Sequence, residues 1–120
     1  MSRPNIIFIQ SDSMDGRVMG CAGHPAAHTP NMDAIARAGA LFATTYCNSP
    51  QCCPSRASMW SGRQIHSVGS WNNFKGIETD TPTFQTALDA GGYRTVILGR
   101  TDHLSGSHSL GNRLAIWTRS

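Results

Sequence analysis

The sequence predicts an α/β layer fold with a mostly parallel sheet flanked by helices, and three observations carry that prediction. Runs at 5–10, 41–46 and 93–98 are rich in β-branched and aromatic residues, the composition of strands. Thr-Pro pairs at 29–30 and 81–82 open helical patterns, each closed by a glycine, Gly39 and Gly91. Chemistry-bearing residues then follow the strands, where open α/β sheets gather their ligands. The order strand, helix, strand, helix, helix, strand fits a layered α/β arrangement.

The first run, Asn5-Ile6-Ile7-Phe8-Ile9-Gln10, has no polar alternation, as expected of a strand buried on both faces of a parallel sheet. Ser11-Asp12-Ser13-Met14-Asp15-Gly16 follows its carboxyl end. Asp12 has two readings there: a turn or cap residue, or a hard oxygen ligand suited to calcium or magnesium. In the Thr29-Pro30 helix, Met32, Ile35, Ala36 and Gly39 recur at helical spacing and predict a core face. The run 41–46 leads as a second strand into Cys47-Asn48-Ser49-Pro50-Gln51-Cys52-Cys53-Pro54-Ser55-Arg56.

In this loop two thiols stand side by side before a short helix expected over 54–61, with Pro54 at its first position and Gly62 as its stop. A helix N-terminus favours a thiolate and offers free backbone N–H groups to an anion. The loop is therefore a candidate site for cysteine chemistry on an anionic substrate. Arg56 is expected in the first turn, where a cation opposes the helix dipole. It is either a surface residue or the partner of an anion. Cys21 and Cys47 read as small buried or half-buried residues, and the spacing of Cys47, Cys52 and Cys53 is not that of a zinc site.

Residues 64–80 show no period and read as a long loop of the kind that serves as a lid or binding element. Trp71 and Phe74 within it either stack on a substrate ring or pack onto the body, and packing is the expectation. Phe84, Ala87 and Leu88 mark one face of the Thr81-Pro82 helix, and 93–98 forms a third strand. After it come Arg100, Asp102, His103 and His108. An arginine here can clamp a sulfate or phosphate, and a histidine can exchange a proton near neutrality. Residues 110–119 read as a final amphipathic helix with Leu114 and Trp117 inward.

A chain of 120 residues allows one modest domain with a limited core. The net charge of +3 comes from scattered residues, with no basic run that would mark a nucleic-acid or membrane partner. The apolar run 6–9 is too short for a signal-peptide core or a membrane span. If Met1 is the true start the expectation is a cytoplasmic protein; if the N-terminus is incomplete, a secreted or lysosomal one.

Cys52-Cys53-Pro54-Ser55-Arg56 reads Cys-x-Pro-x-Arg in one phase only, since Cys53 would need proline at 55 and arginine at 57. The opening strand with Ser-Asp-Ser, the Thr-Pro helix, this loop and Gly91-Gly92-Tyr93-Arg94-Thr95 together resemble the N-terminal part of the sulfatase family. Met59-Trp60-Ser61-Gly62, residues 70–76, Ser105-Gly106 and His108-Ser109 are most similar to a branch that removes sulfate from uronate residues of glycosaminoglycans. The resemblance implies the N-terminal portion of an alkaline-phosphatase-like fold, incomplete in this chain, with 1–120 as a segment of a sulfatase catalytic domain.

It further implies that a formylglycine-generating enzyme oxidises Cys52 to an aldehyde. Asp12 and residue 52 would ligate calcium, with magnesium as the alternative; Arg56 would hold the formylglycine hydroxyl, and Arg100 and His108 would bind substrate. The implied substrate is a sulfated carbohydrate or aryl sulfate, attacked by a hydroxyl of the hydrated aldehyde. The family commonly has a second aspartate where this chain has Ser13, and Gly-Lys-x-His where it has Gly99-Arg100-Thr101-Asp102. His103 and His108 are therefore the candidates for the leaving-group acid. Alternatives are a phosphonate or phosphate ester hydrolase of the same superfamily, and an inactive, truncated sulfate-binding remnant. Because the family's later ligands are absent, the 120-residue chain alone is expected to be inactive or poorly folded.

Overall fold

A computed structural model of the chain describes residues 3–105 and the backbone of 115–118, and divides into two units, Met1–Thr45 and Tyr46–Ser120. In the first unit the run 5–10 forms no ladder, and Ile6, Ile7, Phe8 and Ile9 are 58%, 83%, 65% and 84% exposed. The buried strand expected there is corrected. β-branched residues favour extended backbone, but a strand exists only by ladder pairing, and among the described residues no strand or bridge includes this run. The run 41–46 likewise forms no strand, and Phe42 is exposed.

Helix α1 spans Pro30–Ala38 after Thr29, with Pro30 at its first position and Gly39 at its end. The Thr29 hydroxyl makes no cap bond. It accepts instead from the Gly20 N–H (2.9 Å) and donates to Asp33 Oδ1 (2.9 Å), which also accepts from the Cys21 N–H (2.8 Å). These bonds dock a 3-10 turn, Gly20–Ala22, against α1. The predicted core face is not covered: α1 buries no residue, and Ile35 is 70% exposed. A three-residue turn is too small to cover an apolar stripe two turns long.

The second unit holds helices α2 (Cys52–Ser61), α3 (Ile65–Val68) and α4 (Phe84–Ala90), then strands β1 (Val96–Gly99) and β2 (Ala115–Thr118). Helix α2 begins two residues earlier than expected, from an extended Gln51, so Pro54 is its third residue and Arg56 its fifth. Proline is tolerated there because the first N–H groups of a helix have no partner within it. Gly62 ends α2 in the left-handed region, φ 66°. Helix α4 starts after Thr83, whose hydroxyl and that of Thr86 cap each other's backbone N–H, so the Thr81-Pro82 opening is displaced by two residues. The 64–80 segment contains the short α3, and the rest is loop.

Strand β1 is shorter than the predicted 93–98 run. It pairs antiparallel with β2, in the register Val96↔Thr118 to Gly99↔Ala115. The helix expected over 110–119 is thus corrected at 115–118, where Ile116, Trp117 and Thr118 suit a strand and β1 supplies a partner. Parallel pairing among the described residues is confined to the bridge Ile77↔Leu104. The core of this unit is Ala57, Trp60 and Ile77, with Met59, Val68, Ile97 and Leu104 packed around it. No helix among the described residues is long and apolar enough to cross a membrane.

Candidate active site around Cys52

Helix α2 explains why the site sits where it does. Cys53, Ala57 and Trp60 form its buried stripe at spacings of four and three. Cys52 and Arg56, four apart on the adjoining face, are turned toward each other. Arg56 Nε donates to Cys52 Sγ at 3.3 Å, and its Nη1 donates to the backbone carbonyl of Arg100 at 2.9 Å. Arg56 is 6% exposed, so the surface reading is excluded and the guanidinium ties α2 to the residue just past β1.

Asp102 completes the arrangement. It is wholly buried, with a left-handed backbone (φ 46°) that costs energy for any residue but glycine and least for Asn and Asp. Its Oδ2 accepts from Cys52 Sγ at 3.5 Å and from Arg100 Nε at 2.9 Å, and lies 2.8 Å from Arg100 Nη2. A nucleophilic atom is therefore bracketed by a guanidinium and a carboxylate, the carboxylate being held by a second guanidinium. At the start of α2, the Cys53 N–H donates to Asn73 Oδ1 (3.0 Å). The Cys53 thiol is buried and pushed up to about 11, first by desolvation and then by the charges of Asp102 and Cys52, with Arg56 opposing. It cannot supply a thiolate near neutrality.

Trp60 links these parts. His103 stacks on it at 4.0 Å and 6° between planes, and Phe84 of α4 lies 4.7 Å away on a tilt. Burial drives the His103 imidazole down to about 4, Arg56 adding to the effect while the Thr101 backbone and Asp102 partly oppose it. His103 is thus a neutral packing residue, which corrects its candidacy as a proton donor. His108 lies outside the described residues.

The structure thus brings Cys52, Arg56 and Arg100 together. Asp12 belongs to the first unit, exposed at the bend before Ser13, whose φ is 54°. Among the described residues no group of three or more His, Cys, Asp and Glu side chains is arranged to hold a metal. Calcium takes six to eight oxygens, more than the described residues bring together. Two further expectations fail. Cys47 is exposed, its Sγ donating to the Ser49 carbonyl at 3.1 Å, and Trp71 and Phe74 are 62% and 70% exposed where packing onto the body was expected. Sequence reasoning missed Asp102 and Asn73 as site residues. Asp102 contacts Cys52 from 50 positions away, and its one local signal was standing where the family commonly has histidine.

A family pattern described as sulfatase matches residues 4–109, and the chain belongs to the sulfatase family. That membership carries an alkaline-phosphatase-like α/β fold, and sulfatases in general use a formylglycine and a divalent metal. The chain is 44% identical to arylsulfatase K of Gallus gallus over 98% of its length, 44% identical to that of Xenopus laevis over 98%, and 43% identical to that of Homo sapiens over 97%. It spans 22% of the length of each of these relatives. No solved structure matches the chain.

Proposed function

We propose that residues 1–120 are the N-terminal, nucleophile-bearing segment of the catalytic domain of a sulfuric ester hydrolase, part of a mostly parallel sheet that further sequence completes. Its substrates are sulfated carbohydrates or aryl sulfates. Cys52 is the residue converted to formylglycine by a formylglycine-generating enzyme. The observation that carries this reading is the bracketing of Cys52 Sγ by Arg56 and Asp102 in the first turn of α2, in the one phase that fits Cys-x-Pro-x-Arg.

Here Sγ marks where the oxygens of the modified side chain stand. When formed, the aldehyde supplies a hydroxyl nucleophile and a route for expelling sulfate that a thiol lacks. Arg56 orients residue 52 and places positive charge beside it. Asp102 accepts a hydrogen bond from it and fixes Arg100, whose side chain keeps 27% of its surface open for a sulfate oxygen. His108 adds a contact to the substrate. Asp12 and residue 52 contribute to a calcium site whose other oxygens lie outside these residues.

The test uses the complete protein carrying this chain. Mass spectrometry of the Cys52 peptide should find the lighter aldehyde form, and Cys52→Ala should abolish sulfate release from an aryl sulfate. An aryl phosphonate run in parallel distinguishes the phosphorus-ester alternative. A thiol retained at position 52 in a host with the modifying enzyme, or turnover undiminished by Cys52→Ala, would sink the reading.

A further inference from the structure

The loop that follows α3 is built inside out. On an ordinary surface loop polar side chains face water and rings turn inward. In this loop Ser70 is wholly buried and its hydroxyl donates to the Lys75 carbonyl, closing the loop on itself. Asn72 Oδ1 accepts from the Phe74 N–H (3.0 Å), and Asn73 Oδ1 accepts from the Cys53 N–H (3.0 Å). The base of the loop is held by Ile77, whose N–H donates to the His103 carbonyl (2.9 Å) and whose carbonyl accepts from the Ser105 N–H (3.1 Å). Ser70, Asn72 and Asn73 fix the backbone, and the fixed loop presents the indole of Trp71 and the phenyl of Phe74 to solvent beside the exposed Asn72 and Lys75.

Asn73 lies between those rings in sequence, and it bonds the residue next to the nucleophile. Two exposed aromatic side chains on a hydrogen-bonded loop therefore flank, in sequence, a residue anchored to the first turn of α2. Exposed rings on a tied loop lose little conformational freedom when a flat partner stacks on them. We propose that Trp71 and Phe74 form a subsite for the six-membered ring of the alcohol half of the sulfate ester, so that the ring is gripped here while the sulfate meets residue 52. A pyranose and an aryl ring share the apolar face this requires. The inference rests on the sulfatase reading of Cys52.

Its test is equilibrium binding to the complete protein bearing Cys52→Ala, which cannot turn over, followed by calorimetry with phenyl sulfate, a sulfated pyranoside and inorganic sulfate. Trp71→Ala and Phe74→Ala should each weaken at least one ring ligand by about fivefold to tenfold, the size of an aromatic stacking contact. Inorganic sulfate should bind as before, and Trp71→Phe should keep most of the affinity. Loss confined to phenyl sulfate assigns the subsite to aryl rings, and loss confined to the pyranoside assigns it to sugars. Equal weakening of inorganic sulfate would show that the rings only support the loop, and unchanged ring binding would show that other parts of the protein cover them; either result overturns the subsite. If the wild-type protein carries no aldehyde and releases no sulfate, the sulfatase reading fails separately from these binding results.

Discussion

His103 shows how a residue can be placed correctly by sequence and still be misjudged in its role. A histidine after a strand invites a proton-transfer assignment, yet burial against Trp60 outweighs the help of neighbouring acceptors and holds it neutral. The consequence is a pH-dependent stability whose sign is fixed. The unfolded chain takes up the proton near the ordinary value of 6.5 and the folded protein only near 4, so stability falls as pH drops through that interval and levels off below it. At 1.36 kcal/mol per unit the loss is at most about 3 kcal/mol. The depressed carboxylates Asp15, Asp33 and Glu78 titrate at the acid end or below, leaving the upper part of the window to histidine. In the complete protein carrying this chain, urea midpoints measured between pH 7 and pH 5 should fall for the wild type and flatten for His103→Gln; parallel slopes in the two proteins would refute the assignment.

Among the elements, those with local punctuation were legible and those made by distant pairing were not. Thr29, Pro30 and Gly39 bound α1 as the sequence reads, and Gly62 stops α2. The start of α2, the Thr83–Thr86 cap of α4 and the antiparallel β1–β2 pair were misplaced or missed, because a neighbouring proline or an apolar run is compatible with several boundaries until packing selects one. Cys52, Arg56 and Arg100 could be nominated from motif and strand ends, whereas Asp102 and Asn73 become site residues only through contacts spanning 50 and 20 positions. The strip joining Ile77 to Leu104 makes the same point. A Cβ on Gly76 would stand 2.1 Å from the His103 carbonyl oxygen and 2.6 Å from the Leu104 carbonyl carbon, both backbone atoms that cannot step aside. Gly62, by contrast, has open space but a positive φ of 66°. Gly62→Ala should therefore cost about 1 kcal/mol, and Gly76→Ala about 2 kcal/mol or more, since it must part the bridge that carries Asp102 and His103. Denaturant titration of the complete protein carrying these variants, giving the reverse order, would mean that the bridge does not hold the strip in place.

For the molecule as a whole, the exposed apolar surface decides what the 120-residue chain does alone. Burying one isoleucine or phenylalanine side chain is worth about 1.5–3 kcal/mol, and Ile6, Ile7, Phe8 and Ile9 keep more than half of their surface in water. The stabilisation left unrealised is on the order of 5 kcal/mol, comparable with the entire stability of an ordinary small domain. Phe42, Tyr46 and Leu98, exposed by 81%, 89% and 73%, enlarge the deficit, while the described core of the second unit centres on Ala57, Trp60 and Ile77. The relatives are several times longer than this chain, which spans 22% of their length, so sequence able to cover such surface exists in the family. Expressed by itself, the chain should bind a hydrophobic dye strongly, melt over a broad range without a cooperative transition, and release no sulfate even when position 52 carries the aldehyde. A sharp two-state melt without dye binding would contradict this, because it would require the exposed residues 6–9 to find cover within the 120 residues themselves.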